Sequence, residues 1–321
     1  MKSQMNTDDS LTMRPRLPSS ARPRHGPLAM THILTLVAAR DRTTLSPATI
    51  ARVRDAAGGG GVTILSPGEA AAIACAAAPD LDRVRAALEG APIDAIVTPA
   101  DNQRKRLLIA DMDSTVIVGE TLDDLAAQAG LGEKIAAITA RAMNGELDFR
   151  DALRERVAML RGLDAAALDR TWEATRLTPG ALELVATMKA HGAFTALVSG
   201  GFTFFTSRVA ARAGFDLHRS NILLIENGAL TGQVAEPILD RSAKLETLWH
   251  LIGQRGLTME QTLAVGDGAN DLDMLRAAGL GVAFHAKPIV AAAASARVDH
   301  ADLRAPLFIQ GYLASEFVTI N

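Results

Sequence analysis

Four short, nearly unbroken apolar runs mark the C-terminal two thirds of the chain: Leu107 to Ala110, Phe194 to Val198, Thr262 to Val265 and Leu280 to Phe284. Runs of this length without polar alternation predict strands buried on both faces, as in a parallel sheet. Helical patterns separate them. One helix is signalled by Thr178-Pro179, a cap and first turn, and ends near His191-Gly192. Strands alternating with helices predict an α/β fold with a doubly wound parallel sheet. Roughly eighty residues lie between the first two strands, far more than one crossover helix needs. Helical patterns from Leu122 through Thr175 predict a helical cap, over about 118–176, inserted after the first strand. Leu223 to Glu226, Asn227-Gly228 and Leu230 onwards read as a β-hairpin with a tight turn.

The preceding segment has its own pattern. Ile33 to Val37 predicts a strand, Ser46-Pro47 starts a helix towards Ala57, and Gly58 to Gly61 ends it. Val62 to Leu65 and Ala70 to Ala76 are further apolar runs, the second ambiguous. Leu81 to Leu88 reads as a helix and Ile93 to Val97 as a strand. The order βαββαβ suits a small ferredoxin-like α/β domain over 30–100. Asp101 to Arg106 is a polar connection into the main unit, 107–321. Residues 1–29 mix Arg, Ser and Pro without an apolar period and are expected to be a disordered tail.

Composition narrows the class. Hydrophobic residues make up 48% of the 321 positions and charged residues 21%, enough for a sizeable core. A net charge of −3 leaves no basic footprint for nucleic acid. No apolar run reaches membrane-spanning length, so a soluble protein without a membrane partner is expected. Cys75 is the single cysteine, which fits a reducing cytosol and a cytoplasmic location. Set among alanines, it reads as a small buried apolar residue. The seven histidines lack metal-ligand spacing.

Chemistry concentrates where the predicted strands end, which is where open α/β sheets bind ligands. The first strand leads into Asp111-Met112-Asp113-Ser114-Thr115, the second into Ser199-Gly200-Gly201, and the third into Gly266-Asp267-Gly268-Ala269-Asn270-Asp271. Lys244 lies between the last two, near a helix start. Asp111 and Asp113 can point into one crevice, where Asp267 and Asp271 add negative charge. Such a cluster repels itself unless a cation binds. A hard divalent ion with oxygen ligands fits, and Mg²⁺ most readily accompanies a substrate phosphate. Lys244 and the metal would offset a phosphate dianion, and Ser199 with the backbone around Gly200 would cradle its oxygens. One carboxylate can attack phosphorus and the other can protonate the leaving oxygen. Asp111 suits the first role and Asp113 the second. Each motif alone has a bland reading as a turn, loop or helix cap. Their order at successive strand ends points to phosphate monoester hydrolysis.

These four motifs resemble those of the haloacid dehalogenase-like (HAD) phosphatases, and the cap resembles that of the phosphoserine phosphatase branch. The resemblance covers nearly all of 107–300. It implies a HAD-like Rossmannoid sheet and Mg²⁺-dependent hydrolysis of O-phosphoserine to serine, the last step of serine biosynthesis. Asp111 would be nucleophile and metal ligand. Asp113 would be acid/base and bind the metal through its carbonyl. Asp267 would complete the ligands. Ser199, Gly200, Lys244 and Asn270 would hold the phosphate, with Asp271 supporting them. In the cap, Glu120 aligns with the residue that meets the substrate ammonium and Arg156 with the one that pairs its carboxylate. Met143 and Phe149 match apolar residues closing the pocket. From the residues alone, Glu120 could instead be a helix N-terminal charge, Arg156 could pair with Glu155 or Asp151, and Met143 and Phe149 could be core. The N-terminal unit is similar to amino-acid-binding ACT domains. It could bind serine as a regulator, mediate a homodimer, or only pack against the catalytic unit. Two other functions share these loops: a phosphotransferase passing the phosphoryl group to an alcohol such as homoserine, and an amino-acid-binding regulator with a vestigial site.

Overall fold

The computed structural model describes residues 31–101, 104–143 and 147–319. The expected tail at 1–29 lies outside the described residues. The chain begins with β1 (His32–Ala38), α1 (Pro47–Ala56), β2 (Val62–Ser66), β3 (Ala70–Cys75), α2 (Leu81–Ala87) and β4 (Ile93–Pro99). The ambiguous alanine run is therefore a strand. Ser46 caps α1 by accepting the Thr49 N–H, and Pro47 opens its first turn. The four strands form an antiparallel sheet in the order β2-β3-β1-β4. Leu34, Leu36, Ile73 and Val84 pack on its helical side. From the other side, Val37, Leu65, Ala70 and Ile96 join the main core. Cys75 is buried on the helical side, 1% exposed, as its alanine setting suggested.

The main sheet has six parallel strands in the order β12-β11-β10-β5-β6-β7. After β5 (Leu107–Ala110) comes the cap, with α3 (Thr121–Gln128), α4 (Gly132–Met143), α5 (Phe149–Met159) and α6 (Ala166–Ala174). Its two connectors run side by side: Ile117 bridges Leu177, and Val118 N–H donates to the Arg176 carbonyl at 3.0 Å. Helix α7 (Ala181–Ala190) then leads to β6 (Phe194–Phe202), α8 (Thr203–Ala213) and β7 (Leu217–Asn221). The hairpin β8 (Leu223–Glu226) and β9 (Ala229–Val234) precedes α9 (Ser242–Arg255). Last come β10 (Thr262–Gly266), α10 (Leu272–Ala277), β11 (Leu280–Phe284), α11 (Pro288–Ala291), β12 (Ala296–Val298) and α12 (Ala305–Ile309).

Two sequence expectations shift. Helix α7 starts at Ala181 rather than at Pro179, because Gly180 adopts a left-handed φ of +83° and the Pro179 carbonyl is taken by Leu303 N–H. Strand β6 runs through Ser199-Gly200-Gly201 instead of stopping at Val198, but its pairing with β7 shifts between Val198 and Phe202. The core strands are dry: Leu107, Leu108, Ile109, Leu263 and Val265 are all fully buried. No helix among the described residues is long and apolar enough to cross a membrane.

Candidate active site

The C-terminal ends of β5, β6 and β10 converge, because these strands are parallel neighbours in the sheet. Asp111 follows β5 directly and is 5% exposed. Its Oδ1 accepts the Met112 N–H at 2.8 Å and lies 2.8 Å from the Lys244 Nζ. Its other oxygen accepts no hydrogen bond among the described residues. The chain then turns sharply. Ser114 takes φ +52°, and its N–H donates to the Gly119 carbonyl. This turn brings Asp113 back towards the sheet. Its Oδ1 accepts the Thr121 N–H at 2.8 Å and its Oδ2 accepts the Ser199 hydroxyl at 3.2 Å.

Lys244, on the first turn of α9, is 2% exposed and also reaches Asp271 Oδ1 at 2.5 Å. Asp271, fully buried, spends its Oδ2 on the Gly268 N–H at 2.9 Å. Both of its oxygens are therefore engaged. Asp267 accepts the Thr115 hydroxyl at 3.2 Å. Asp111, Asp267 and Asp271 each offer an oxygen within 4.8 Å of the others. The electrostatics follow from this crowding. Burial, then repulsion from Asp271, pushes the Asp111 carboxyl well above its usual range. Burial raises Asp113 as well. Burial and Asp271 push Asp267 up to about 6. Burial works against the charged form of Lys244, but Asp111 and Asp271 outweigh it and hold the ammonium charged. Three carboxylates around one ammonium leave a negative excess that suits a hard divalent cation, so this donor set fits a divalent metal.

Behind Ser199, Gly201 N–H donates to the Ser199 hydroxyl oxygen at 2.8 Å. A Cβ on Gly201 would sit 2.9 Å from Asp113 Oδ2 and 3.0 Å from Ser199 Oγ, so only glycine lets these groups meet. The Gly200 carbonyl accepts the Asn221 side-chain amide at 2.9 Å. Asn221, 1% exposed, also donates to the Leu239 carbonyl and accepts the Leu239 N–H. Sequence reading missed Asn221, Thr115, Thr121 and Ser114. The last three lie within or near a motif, whereas Asn221 ends an edge strand with no motif signal.

The cap contributes at the mouth. Glu120 precedes α3 but makes no side-chain cap bond; its carboxylate accepts the Ser114 hydroxyl at 2.8 Å instead. Crowding by protein, then Asp113, pushes it up to about 7 although it keeps an exposed edge. Arg156 is half-buried, and it pairs with neither Asp151 nor Glu155, which engage Arg154 and Arg141. It bonds the Ala152 carbonyl and Thr139 hydroxyl and feels Asp123, Glu120 and Asp113. Phe149 opens α5 with its ring 3.0 Å from where a Gly200 Cβ would be. Met143 ends α4, and its side chain lies outside the described residues. Asn270 lies on the turn between β10 and α10, one residue before Asp271.

Comparison with known proteins matches this architecture. A haloacid dehalogenase-like hydrolase model matches residues 108–276. A phosphoserine phosphatase of Streptomyces coelicolor is 44% identical over 231 residues, covering 72% of this chain and 56% of that protein. One from Lactococcus lactis is 44% identical over 199 residues, 62% of this chain and 92% of that protein. The solved structure of a probable phosphoserine phosphatase from Vibrio cholerae superposes with a TM-score of 0.73 at 33% identity, covering 89% of this chain and 88% of that one. The chain spans about half to two thirds of the length of the first curated relatives it matches. With the fold, the motif geometry and these matches in agreement, the chain belongs to the haloacid dehalogenase-like hydrolase family.

Proposed function

We propose that this protein is a phosphoserine phosphatase that hydrolyses O-phosphoserine to serine and phosphate. The observation that carries the chemistry is the buried Asp111–Lys244–Asp271 cluster, with one Asp111 oxygen left unengaged beside it. That oxygen attacks phosphorus, forming a P–O bond to Asp111 as the bond to the serine oxygen breaks. Asp113, whose carboxyl is raised above its ordinary range by burial, gives a proton to the departing serine oxygen. Asp113 then takes a proton from the water that attacks the aspartyl phosphate, which releases phosphate and regenerates Asp111. Lys244 offsets charge on the phosphoryl oxygens, and Ser199, Gly200 and Asn270 complete its cradle. Mg²⁺ is the proposed cation, held by the carboxylates of Asp111 and Asp267 and the carbonyl of Asp113. When bound there, it would supply charge neutralisation.

Substrate choice rests on the cap and on the relatives' names. Glu120 and Arg156 would hold the ammonium and carboxylate of the amino acid, with Met143 and Phe149 closing the pocket. The absence of an ion pair on Arg156 among the described residues supports this, since a half-buried guanidinium gains from a carboxylate. The N-terminal unit is proposed to be an ACT-like amino-acid-binding domain, with serine as its ligand and pairing of two copies as a further role. Phosphate release from phosphoserine, phosphothreonine and sugar phosphates, with and without Mg²⁺, tests the function. A preference for phosphoserine that requires the metal is expected. Equal turnover of all three would remove the roles given to Glu120 and Arg156.

A further inference from the structure

The N-terminal sheet meets the catalytic sheet at a specific place. Asp94, on β4 and 5% exposed, accepts three consecutive backbone N–H groups beyond β12: Asp299 at 2.8 Å, His300 at 3.1 Å and Ala301 at 2.8 Å. Three charge-assisted bonds to one carboxylate fix that segment tightly. The same segment is tied to the loop after β11. His285 N–H donates to the Val298 carbonyl at 2.8 Å, and His285 Nε2 meets the Ala301 carbonyl at 2.8 Å.

His285 is held from several sides although it is exposed. Its φ is +44°, rare for a residue with a side chain, and its ring stacks on Phe284 with centroids 4.3 Å apart. Two residues further on, Lys287 N–H donates to the Asp267 carbonyl at 3.3 Å, and the Lys287 charge favours the ionised form of Asp267. A continuous bonded path thus runs from Asp94 in the N-terminal unit, through 299–301 and His285, to Asp267.

We propose that Asp94 and His285 are positioning residues for Asp267, which makes the N-terminal unit a structural part of the metal-binding loop. The inference rests on the assignment of Asp267 as a metal ligand. It does not depend on the identity of the substrate. Outer partners of metal ligands govern affinity by about 10- to 100-fold when removed. Another contact between the units, the Glu69–Arg304 ion pair at 3.1 Å, places no bond on 299–301 or on His285, since Arg304 turns to Asp302 beyond them, and it serves as a control for general loosening of the interface.

The test is Mg²⁺ titration by calorimetry on the full chain, together with amide exchange over 266–271 and 285–287. His285→Asn keeps a residue tolerant of positive φ but is too short to reach Ala301. It is expected to weaken Mg²⁺ binding by about tenfold and to speed exchange in both segments. Asp94→Asn is expected to do the same, and His285→Gln, which restores the reach, to recover most of the affinity. Glu69→Gln is expected to leave Mg²⁺ affinity within about twofold. Unchanged affinity and exchange in both His285→Asn and Asp94→Asn would overturn the proposal. So would an equal loss in Glu69→Gln, which would indicate general loosening of the interface. Mg²⁺ binding lost in Asp267→Asn while both positioning variants bind normally would refute the path and leave the catalytic assignment standing. No Mg²⁺ binding by the unaltered protein would overturn the metal assignment and the proposal with it.

Discussion

Lys244 Nζ lies 2.8 Å from Asp111 Oδ1, and both groups are shut away from solvent. Removing one partner of a buried pair leaves an uncompensated charge, at a cost of about 3–5 kcal/mol. Lys244→Met also strands Asp271, whose Oδ1 relies on the same ammonium. Thermal or urea unfolding of this variant without metal is expected to show a loss of that size. Phosphate release should fall by at least about a hundredfold, the scale for a lost charge-stabilising donor. Stability close to that of the unaltered protein would show that the pair is solvated and weak.

The metal-free protein is expected to lose stability towards neutral pH. Asp267 is pushed up to about 6 and Glu120 up to about 7, above their ordinary values of 3.8 and 4.5. Between those limits the native state holds protons that the unfolded chain has released. Stability therefore falls as pH rises through about 4 to 7. Glu120 keeps an exposed edge, so its share is modest, under about 1 kcal/mol. At Asp267 a bound divalent cation would take the place of the proton. Thermal melts are expected to show the metal-free protein more stable at pH 5.5 than at pH 8, and Mg²⁺ stabilising more at pH 8. Stability rising with pH in the absence of metal would contradict the electrostatic picture.

Arg156→Ala separates recognition from chemistry. The lost carboxylate contact corresponds to a charge-assisted bond, about 1.5–3 kcal/mol, or a rise in KM for phosphoserine of about 10- to 100-fold. Turnover of a phosphate ester lacking amino and carboxylate groups should change by less than about threefold. A parallel loss on both substrates would place Arg156 in the cap's structure instead.

Asn221 tests the scaffold beneath the proposed phosphate cradle. Asn221→Ala leaves the carbonyls of Gly200 and Leu239 and the Leu239 N–H without their partner. A stability loss of about 2–3 kcal/mol is expected in urea unfolding, with a drop in kcat as Gly200 shifts. A neutral effect would mean that water replaces the side chain.

The strands were legible because each is a short apolar run, and the acidic motifs because they sit at strand ends. Asp111, Asp113, Ser199, Lys244 and Asp267 are indeed brought together, since neighbouring parallel strands end at one edge. The local reading of Glu120 as a helix N-terminal charge agrees with its place just before α3, whereas the local pairing of Arg156 failed for a geometric reason. Glu120 also accepts the Ser114 hydroxyl, which no local pattern announces, and Asp151 and Glu155 pair with Arg154 and Arg141 and not with Arg156. Asn221 and the Asp94–His285 path were not legible. Both join residues far apart in sequence, through backbone groups that carry no residue signature. The late start of α7 escaped notice because Leu303, more than a hundred residues away, claims the Pro179 carbonyl.

Asp111 is proposed to carry the phosphoryl group during turnover. Rapid acid quench of the enzyme during turnover of phosphoserine labelled in its phosphate, followed by peptide mapping, tests it most directly. Alkali-labile label is expected on the peptide containing Asp111 and absent from Asp111→Asn. Unlabelled enzyme during full-rate turnover, or label retained in Asp111→Asn, would contradict it.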